Sequence, residues 1–236
     1  MKIEVSSINI VNEKSLHEGI KRWYYQPGDR IEVRVRGKII DLVRDELLVE
    51  IQTKNLYAIK DKLAQLLPYH PVKVIYPIAV KSDVITLDKQ MHMIRQRKSP
   101  KKGHPLDIFD ELCGSAHLVA HPNFSLLLLF IQQADLRLDD GKGSWRRKGV
   151  SLLDRKLLGV IGQQELRVPA DYLNLLPSTL PSLFTNQELS SKFQLPYRRV
   201  SKITYCFKKM GLIAVTGKNG RSLIYTRLTS TTLPLK

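Results

Sequence analysis

Two acids stand inside the apolar stretch "IIDLVRDELLVEIQTKN", residues 39–55. Asp41 and Glu50 occupy positions where two neighbouring β-strands would normally have Val or Ile. Residues 30–38 alternate apolar and polar side chains and end in a Gly-Lys turn, so we expect a hairpin that continues into a third strand at residues 47–53. The stretch therefore predicts two carboxylates on adjacent strands of one sheet.

The flanking segments predict an α/β unit around this hairpin. Residues 15–25 and 56–67 have the apolar spacing of helices, and residues 72–80 are an almost continuous apolar run. A strand, a crossover helix and a buried strand form a βαβ unit. Because side chains alternate along a strand, we expect Asp41 to meet Glu50 on one polar face. Two buried like charges make sense mainly with a cation between them, and hard oxygen ligands suit Mg²⁺, with Mn²⁺ as a substitute.

At these residues the chain resembles the PD-(D/E)xK nuclease superfamily, which has the restriction-endonuclease-like fold. The family pattern is an acid on the first helix, an Asp on a strand and an acid-x-Lys on the next strand. These positions look like Glu18, Asp41 and Glu50-Ile51-Gln52. The resemblance implies a mixed sheet flanked by helices, with Glu18, Asp41 and Glu50 as metal ligands. It also implies metal-dependent hydrolysis of phosphodiester bonds in DNA.

Gln52 departs from the family pattern, which usually has Lys there to orient the attacking water. Lys54 follows two residues later on the same face, and Lys60 is on the next helix, so the resemblance implies that one of them supplies the cation. Some branches of the superfamily carry a further Gln in the spacing Q-x-x-x-Y, which Gln65 and Tyr69 match. The implied catalytic set is Glu18, Asp41, Glu50, Gln52, Lys54, Lys60 and Gln65.

Plainer explanations exist for the same residues. Asp41 and Glu50 also fit the solvated face of an edge hairpin, and Glu18 and Gln65 also fit exposed helix positions. If Gln52 marks a loss of activity, the protein is a non-catalytic DNA-binding regulator or assembly subunit. An RNA-directed nuclease is a third alternative.

Residues 184–228 predict a winged helix-turn-helix. Thr185 or Asn186 caps a first helix, residues 197–210 form a second one, and residues 212–228 form a hairpin wing. In such folds the second helix enters the major groove and the wing follows the backbone. The segment has nine Lys and Arg residues and one acid, so we predict DNA contacts from Arg198, Arg199, Lys202, Lys218 and Arg221. The alternative is a protein-binding winged helix with an ordinary solvated basic face.

The composition favours a nucleic-acid partner. The chain has 38 Lys and Arg residues against 22 Asp and Glu, a formal net charge of +16, and such a surface attracts polyanions. With no signal peptide and no apolar run long enough to span a bilayer, we expect a soluble, cytoplasmic protein. Cys113 and Cys206 are isolated in sequence, which argues against a disulfide framework or a four-ligand zinc site and favours core positions.

We therefore predict an α/β fold, a restriction-endonuclease-like mixed sheet flanked by helices, followed by an α+β winged helix. Its parts are a nuclease-like domain at residues 1–98, a basic linker and mixed α/β segment at 99–183, and a winged helix at 184–236. In the middle part we expect a loop at residues 95–103 and a helix near residues 151–161. The predicted function is a Mg²⁺-dependent DNA endonuclease. A homodimer would suit double-strand cutting, and no residue identifies a partner protein.

Overall fold

A seven-stranded mixed sheet is the centre of the protein, and the computed structural model describes residues 15–228. The helices are α1 (Leu16–Tyr24), α2 (Lys60–Leu66), α3 (Ile108–Leu112), α4 (Asn186–Phe193) and α5 (Tyr197–Lys209). The strands are β1 (Arg30–Val35), β2 (Lys38–Arg44), β3 (Leu47–Ile51), β4 (Val72–Leu87), β5 (Met93–Lys98), β6 (Phe124–Asp139), β7 (Val150–Leu166), β8 (Leu183–Thr185), β9 (Ile213–Asn219) and β10 (Ser222–Arg227).

The order of strands in the large sheet is β1-β2-β3-β4-β6-β7, and β5 also pairs with β4. The first three strands form an antiparallel meander, β3 and β6 run parallel to β4, and β7 is antiparallel to β6. Helix α2 is the crossover between β3 and β4, as parallel pairing requires. The predicted α/β class, with a hairpin, a third strand, a crossover helix and a buried strand, is therefore confirmed.

Helices cover both faces of this sheet. On one face, Leu16 and Ile20 of α1 pack against Leu42, Val49 and other apolar residues of the central strands. On the other face, α2 and α3 share a larger core with Ile40 of β2. The apolar residues of α1 repeat every four positions, which places them on one side of the helix and accounts for its docking.

Strand β4 is paired along only part of one edge. Its residues 72–75 bond to β3, and its residues 83–87 bond to β5 on the same side, while β6 occupies the other side. Between these two segments, the amide of Gly103 donates to the carbonyl of Ala79 at 2.8 Å. A Cβ atom on Gly103 would lie 2.9 Å from that oxygen, so a glycine is needed there. The interruption opens a cleft of about 390 Å³ beside β4.

The middle part of the chain differs from the sequence-based expectation. Residues 95–98 belong to β5 instead of a loop, and residues 150–166 form β7 instead of a helix. Strand β6 is long and offers the N–H and C=O groups of one edge, and all of β7 pairs with this edge, with three register shifts. Gly159 and Gly162 also weaken any helix in that segment. Because β6 and β7 complete the large sheet, the predicted boundary at residue 98 lies within one sheet.

A three-stranded sheet, β8-β10-β9, and helices α4 and α5 form the C-terminal unit. Thr185 caps α4: its hydroxyl accepts from the amide of Glu188, whose carboxylate accepts from the amide of Thr185 at 2.6 Å. Helix α5 packs on α3, where the rings of Phe207 and Phe109 lie edge to face with their centres 5.4 Å apart. The C-terminal unit therefore shares the core of the large sheet. None of the helices within residues 15–228 has the length and apolarity needed to cross a bilayer.

Candidate functional site

Asp41 and Glu50 lie where the ladder between β2 and β3 ends. The last pair on this side joins Leu42 to Val49. Beyond it, the carboxylate of Asp41 accepts a hydrogen bond from the amide of Ile51, with Oδ2 2.8 Å from the nitrogen. The side chain of Asp41 thus does what a backbone carbonyl does in a continuing ladder, which fixes its position at the fork between the strands.

His17 of α1 holds the same carboxylate oxygen of Asp41, with Nε2 3.2 Å from Oδ2. This hydrogen bond raises the pKa of His17, although burial opposes it. Burial acts to raise the pKa of Asp41, but the hydrogen bonds from His17 and from the Ile51 amide outweigh it, so the pKa lies below its ordinary value. Both shifts favour the charged forms, which are the carboxylate of Asp41 and the protonated imidazole of His17.

Glu50 is paired with Lys62 of α2. The Glu50 side chain is 6 % exposed, and its Oε1 forms an ion pair with Nζ of Lys62, which also donates to the carbonyl of Ile39. Burial raises the pKa of Glu50 to about 7, because Lys62 offsets only part of the lost hydration and the charge of Asp41 adds to the effect. A carboxyl group that is half protonated near neutral pH is unusual, and such groups concentrate at functional sites.

His17, Asp41, Glu50 and Lys62 form one electrostatic group, which we name the four-residue cluster. Lys62 lowers the pKa of Asp41, and His17 lowers that of Glu50. The partners come from opposite faces, because α1 and α2 cover different sides of the sheet. That Asp41 and Glu50 share one polar face stays a prediction, and the contacts show which cation holds each of the two acids. They meet at the fork between β2 and β3, each held by a cation from a different layer.

Two members of the cluster, Asp41 and Glu50, offer carboxylate oxygens, which are donors of the kind that Mg²⁺ uses. Within residues 15–228, the hydrogen bonds of Asp41 both go to Oδ2, which leaves Oδ1 open to a ligand. The buried Oε1 of Glu50 faces Lys62 without the alignment of a hydrogen bond and has no other donor in that range. No group of three His, Cys, Asp or Glu side chains in the described part could hold a metal. Mg²⁺ commonly uses one or two carboxylates and takes its other ligands from water and phosphate.

The structure separates three other predicted catalytic residues from the cluster. The amide of Gln52 donates to the carbonyls of Lys54 and Asn55, so it closes the turn after β3. Lys54 is exposed on that turn. Lys60 contacts Tyr57, with Nζ 2.5 Å from the hydroxyl and 4.1 Å from the ring centre. Neither lysine is placed beside Glu50.

Gln65 also lies apart from it, whereas the charge of Glu18 acts on His17 and adds to the rise of the His17 pKa. Gln65 and Tyr69 line a shallow surface cleft together with Arg36, whose guanidinium lies 3.8 Å from the centre of the Tyr69 ring. Glu18 is 3.2 Å from Lys21, which is also ion-paired with Glu32 of β1. Among the predicted catalytic residues, the structure thus brings Asp41 and Glu50 together, and Glu18 lies near enough to His17 to act on its pKa.

Sequence reasoning missed His17 and Lys62. The phase of α2 carries a signal for Lys62: Leu63 and Leu66 are its buried residues, so Lys62 flanks the buried side that faces β2. His17 precedes Glu18 on α1, one position after the buried Leu16. Lys60 stands three positions before Leu63 and Lys62 four before Leu66, so helical phase alone does not separate the two lysines.

The predicted DNA-binding residues divide into two sets. Arg199 and Lys202 of α5 are engaged with acids: Arg199 with Asp107 and Lys202 with Asp110, each at 2.7 Å. The other three are exposed and form no ion pair within residues 15–228: Arg198 on α5, Lys218 on β9 and Arg221 on the turn before β10. The structure therefore leaves Arg198 and the cations of the β9–β10 hairpin exposed, and it uses two other cations of α5 to join α5 to the large domain.

Comparison with known proteins places the chain in a family. The family described as "Domain of unknown function (DUF8091)" matches residues 14–167, which is more than half of the chain. The chain belongs to the DUF8091 family. A protein of Treponema pallidum (strain Nichols), described as uncharacterized, is 32 % identical over 222 residues, covering 94 % of this chain and 88 % of the relative. No solved structure gives a significant match.

The DUF8091 region coincides with the large sheet domain. It ends at residue 167, one position after the last residue of β7. It contains β1 to β7, helices α1 to α3 and the whole four-residue cluster. The C-terminal unit follows it in the chain.

Proposed function

We propose that the protein is a metal-dependent DNA nuclease with a PD-(D/E)xK-like site. The observation that carries the proposal is the four-residue cluster, in which a buried Glu50 with a raised pKa faces Lys62 beside the fixed carboxylate of Asp41. Perturbed acids and a lysine at one fork of a sheet are the groups that phosphodiester hydrolysis uses.

The order of elements supports the same proposal. Helix α1, the antiparallel meander of β1 to β3, the crossover helix α2 and the parallel strand β4 follow the arrangement that the resemblance implies. Lys62 supports it further, because a lysine on the crossover helix can replace the lysine that the motif lacks at Gln52. The acid of the motif, Glu50, would then come from β3, and its lysine, Lys62, from the neighbouring helix α2.

In the proposed mechanism, Asp41 and Glu50 would hold Mg²⁺. The ion would lower the pKa of a bound water and offset charge on the phosphate. His17 and the Ile51 amide keep Asp41 ionised and in place. Glu50 would have to be ionised to hold the ion, and Lys62 would donate to a phosphate oxygen or to the attacking water. Because burial raises the pKa of Glu50, this ionisation is favoured by alkaline solution.

Exposed cations support DNA as the substrate. Arg198, Lys218 and Arg221 of the C-terminal unit are open to solvent, and the arrangement of α4, α5 and the β9–β10 hairpin is compatible with a winged helix. On the large domain, every residue of β5 is exposed, and this strand carries Arg95, Arg97 and Lys98. Such strips attract the phosphate backbone.

A non-catalytic DNA-binding protein is the second candidate. The observation that favours it is that both acids already have cation partners within the chain, since Lys62 neutralises Glu50 and His17 neutralises Asp41. In that case the cluster joins helices α1 and α2 to the sheet, and the basic surface alone provides the function.

A cleavage assay separates the two candidates. Supercoiled, linear duplex and single-stranded DNA are incubated with the purified protein in Mg²⁺, Mn²⁺ or EDTA. We expect cleavage of at least one substrate with metal and none in EDTA. Asp41→Asn should abolish it, because the amide keeps the shape of the side chain and loses the charge. Failure of the wild type to cut any substrate in either metal would reject the nuclease and favour the binding protein.

Lys62→Met tests the lysine, and Lys60→Met is its matched control, the same substitution on the same helix. We expect Lys62→Met to lower the cleavage rate by roughly 100-fold, as the loss of one transition-state donor does, and Lys60→Met to leave it unchanged. The opposite ranking would overturn the assignment of Lys62. Circular dichroism and DNA binding, measured for each variant, separate loss of chemistry from loss of fold.

Binding measured against salt tests the wing. A plot of log K for duplex binding against log salt concentration has a slope of about −0.9 for each phosphate contact. The double variant Lys218→Ala, Arg221→Ala should lose about two contacts, so its slope should be less steep by about 1.8. Arg199→Ala is the comparison, because its charge is committed to Asp107, and we expect a smaller change in slope. An unchanged slope in the wing variant would remove the hairpin from the DNA contact.

A further inference from the structure

The two cysteines of the chain lie against the same backbone oxygen. Sγ of Cys113, just after α3, donates to the carbonyl of Phe109 at 3.2 Å, and Sγ of Cys206 on α5 donates to the same oxygen at 3.7 Å. The sequence contains no other cysteine. Residues that are distant in sequence therefore place their thiols side by side, at the contact between the DUF8091 region and the C-terminal unit.

The two thiols differ in access. Cys206 is fully buried, whereas Cys113 is partly exposed. Cys113 lines a surface cleft of about 500 Å³ with Gly114, Arg198, Ser201, Lys202 and Tyr205. Burial raises the pKa of Cys206, and the neighbouring Cys113 adds to the effect. An accessible thiol in a cleft with cations, backed by a buried thiol, is the arrangement in which oxidation of the first is resolved by the second.

We propose that Cys113 and Cys206 form an oxidisable thiol pair, a modification site at which a hydroperoxide produces a reversible disulfide between helix α5 and the segment that follows α3. The inference does not depend on the proposed nuclease activity. It requires only the fold and the shared contact at Phe109.

The chemistry balances with a hydroperoxide as the oxidant. The thiolate of Cys113 attacks one peroxide oxygen, an S–O bond forms, the O–O bond breaks, and the other oxygen leaves with a proton as water or an alcohol. Cys206 then attacks the sulfenic sulfur, an S–S bond forms, the S–O bond breaks, and the released hydroxide takes the Cys206 proton as water. The two thiols lose two electrons and two protons in total, and the peroxide is reduced.

The disulfide would join two packed units that are otherwise held by apolar contacts and ion pairs. Phe109 and Phe207 remain in contact beside it, and Lys202 stays paired with Asp110. The cross-link closes a long loop of the unfolded chain, so it should stabilise the folded state. Its formation would also fix Arg198 at the rim of the cleft relative to the large sheet.

The experiment uses the full chain treated with hydrogen peroxide and then with an alkylating agent under denaturing conditions. We expect an intact mass lower by two hydrogen atoms, no alkylated cysteine, and a link between the tryptic peptides 103–137 and 203–208 that dithiothreitol reverses. The oxidised protein should unfold at a temperature higher by about 10 °C than the reduced protein. In Cys113→Ser, which changes the partly exposed residue, Cys206 should stay alkylatable after peroxide.

Three outcomes would overturn the proposal. Alkylation of both cysteines after peroxide would show that no bond forms. Higher oxidation of Cys113 beside a free Cys206 thiol would show that the second thiol does not resolve the first. A link between two chains in place of the intramolecular one would show that the shared contact at Phe109 does not direct the chemistry.

Discussion

Replacing Glu50 by Gln should change how the stability of the protein depends on pH. Glu50 has a pKa of about 7 in the folded protein, against 4.5 for an ordinary glutamate, because burial disfavours its charge. Between pH 4.5 and about pH 7, Glu50 therefore keeps a proton in the folded protein that it releases in the unfolded chain. Raising the pH through this window favours the unfolded chain, so wild-type stability should fall. The glutamine side chain of the variant does not titrate and would not contribute to that fall.

The magnitude follows from proton linkage. Between about pH 5.5 and about pH 8.5, a carboxyl with these two pKa values loses roughly 2 kcal/mol of stabilising free energy. The difference in unfolding free energy between Glu50→Gln and wild type should shift by that amount in favour of the variant. Lys62 is partly exposed and keeps its bond to Ile39, so the loss of its partner does not leave an isolated buried charge. His17 titrates in both proteins, and its effect largely cancels in the comparison.

Urea unfolding at the two pH values provides the measurement. Glu165→Gln is the matched control, a carboxyl on the same sheet whose pKa lies below its ordinary value, since the hydrogen bonds from Arg167 and Lys73 outweigh its burial. Its stabilising effect is present above the ordinary pKa and is lost only in more acidic solution, so its variant should show no shift across this window. Parallel stability curves for wild type and Glu50→Gln would refute the assignment of a raised pKa to Glu50.

Two further predictions concern packing. Phe109→Ala should lower the free energy of unfolding in urea by about 3–5 kcal/mol. The centre of the Phe109 ring lies 5.4 Å from that of Phe207 and 6.4 Å from that of Tyr172. A loss under about 1 kcal/mol would show that α3 and α5 do not share a core. Gly143→Ala should destabilise the β6–β7 connection, because a Cβ there would lie 2.1 Å from the carbonyl oxygen of Val150. Gly159→Ala, with no atom within 4 Å, is its control, and equal unfolding midpoints for the two variants would contradict the prediction.

The elements predicted from the sequence are those with strong local patterns. Helix α1, the β1–β2 hairpin and α5 have apolar periodicity and turn residues that agree with their tertiary environment. Strand β7 does not, because its many Leu residues and its charges fit a helix, and only the pairing with β6 decides its conformation. Strand β5 is exposed along its whole length, so it has no buried face that a pattern could indicate.

Strong local patterns also account for the residues of the candidate site that the sequence predicted. Asp41 and Glu50 could be recognised because they interrupt apolar strands, and strands have a simple period of two. The lysine could not be chosen from spacing alone, since Lys54, Lys60 and Lys62 all lie near Glu50 in sequence. The 3-10 turn at Leu56–Ile59 sets the phase of α2, and this phase brings Lys62 to Glu50. The meeting of Cys113 and Cys206 depends on the docking of α5, which no local pattern encodes.

The shape of β7 has a consequence for behaviour at high protein concentration. This strand is an outer edge of the large sheet, and a straight edge of that length would offer unpaired backbone groups to a strand from another molecule. The three register shifts against β6 bend it, and the charged residues Asp154 and Arg155 in its first half disfavour a flat neighbour. The irregular rim should therefore resist templated growth into ordered aggregates.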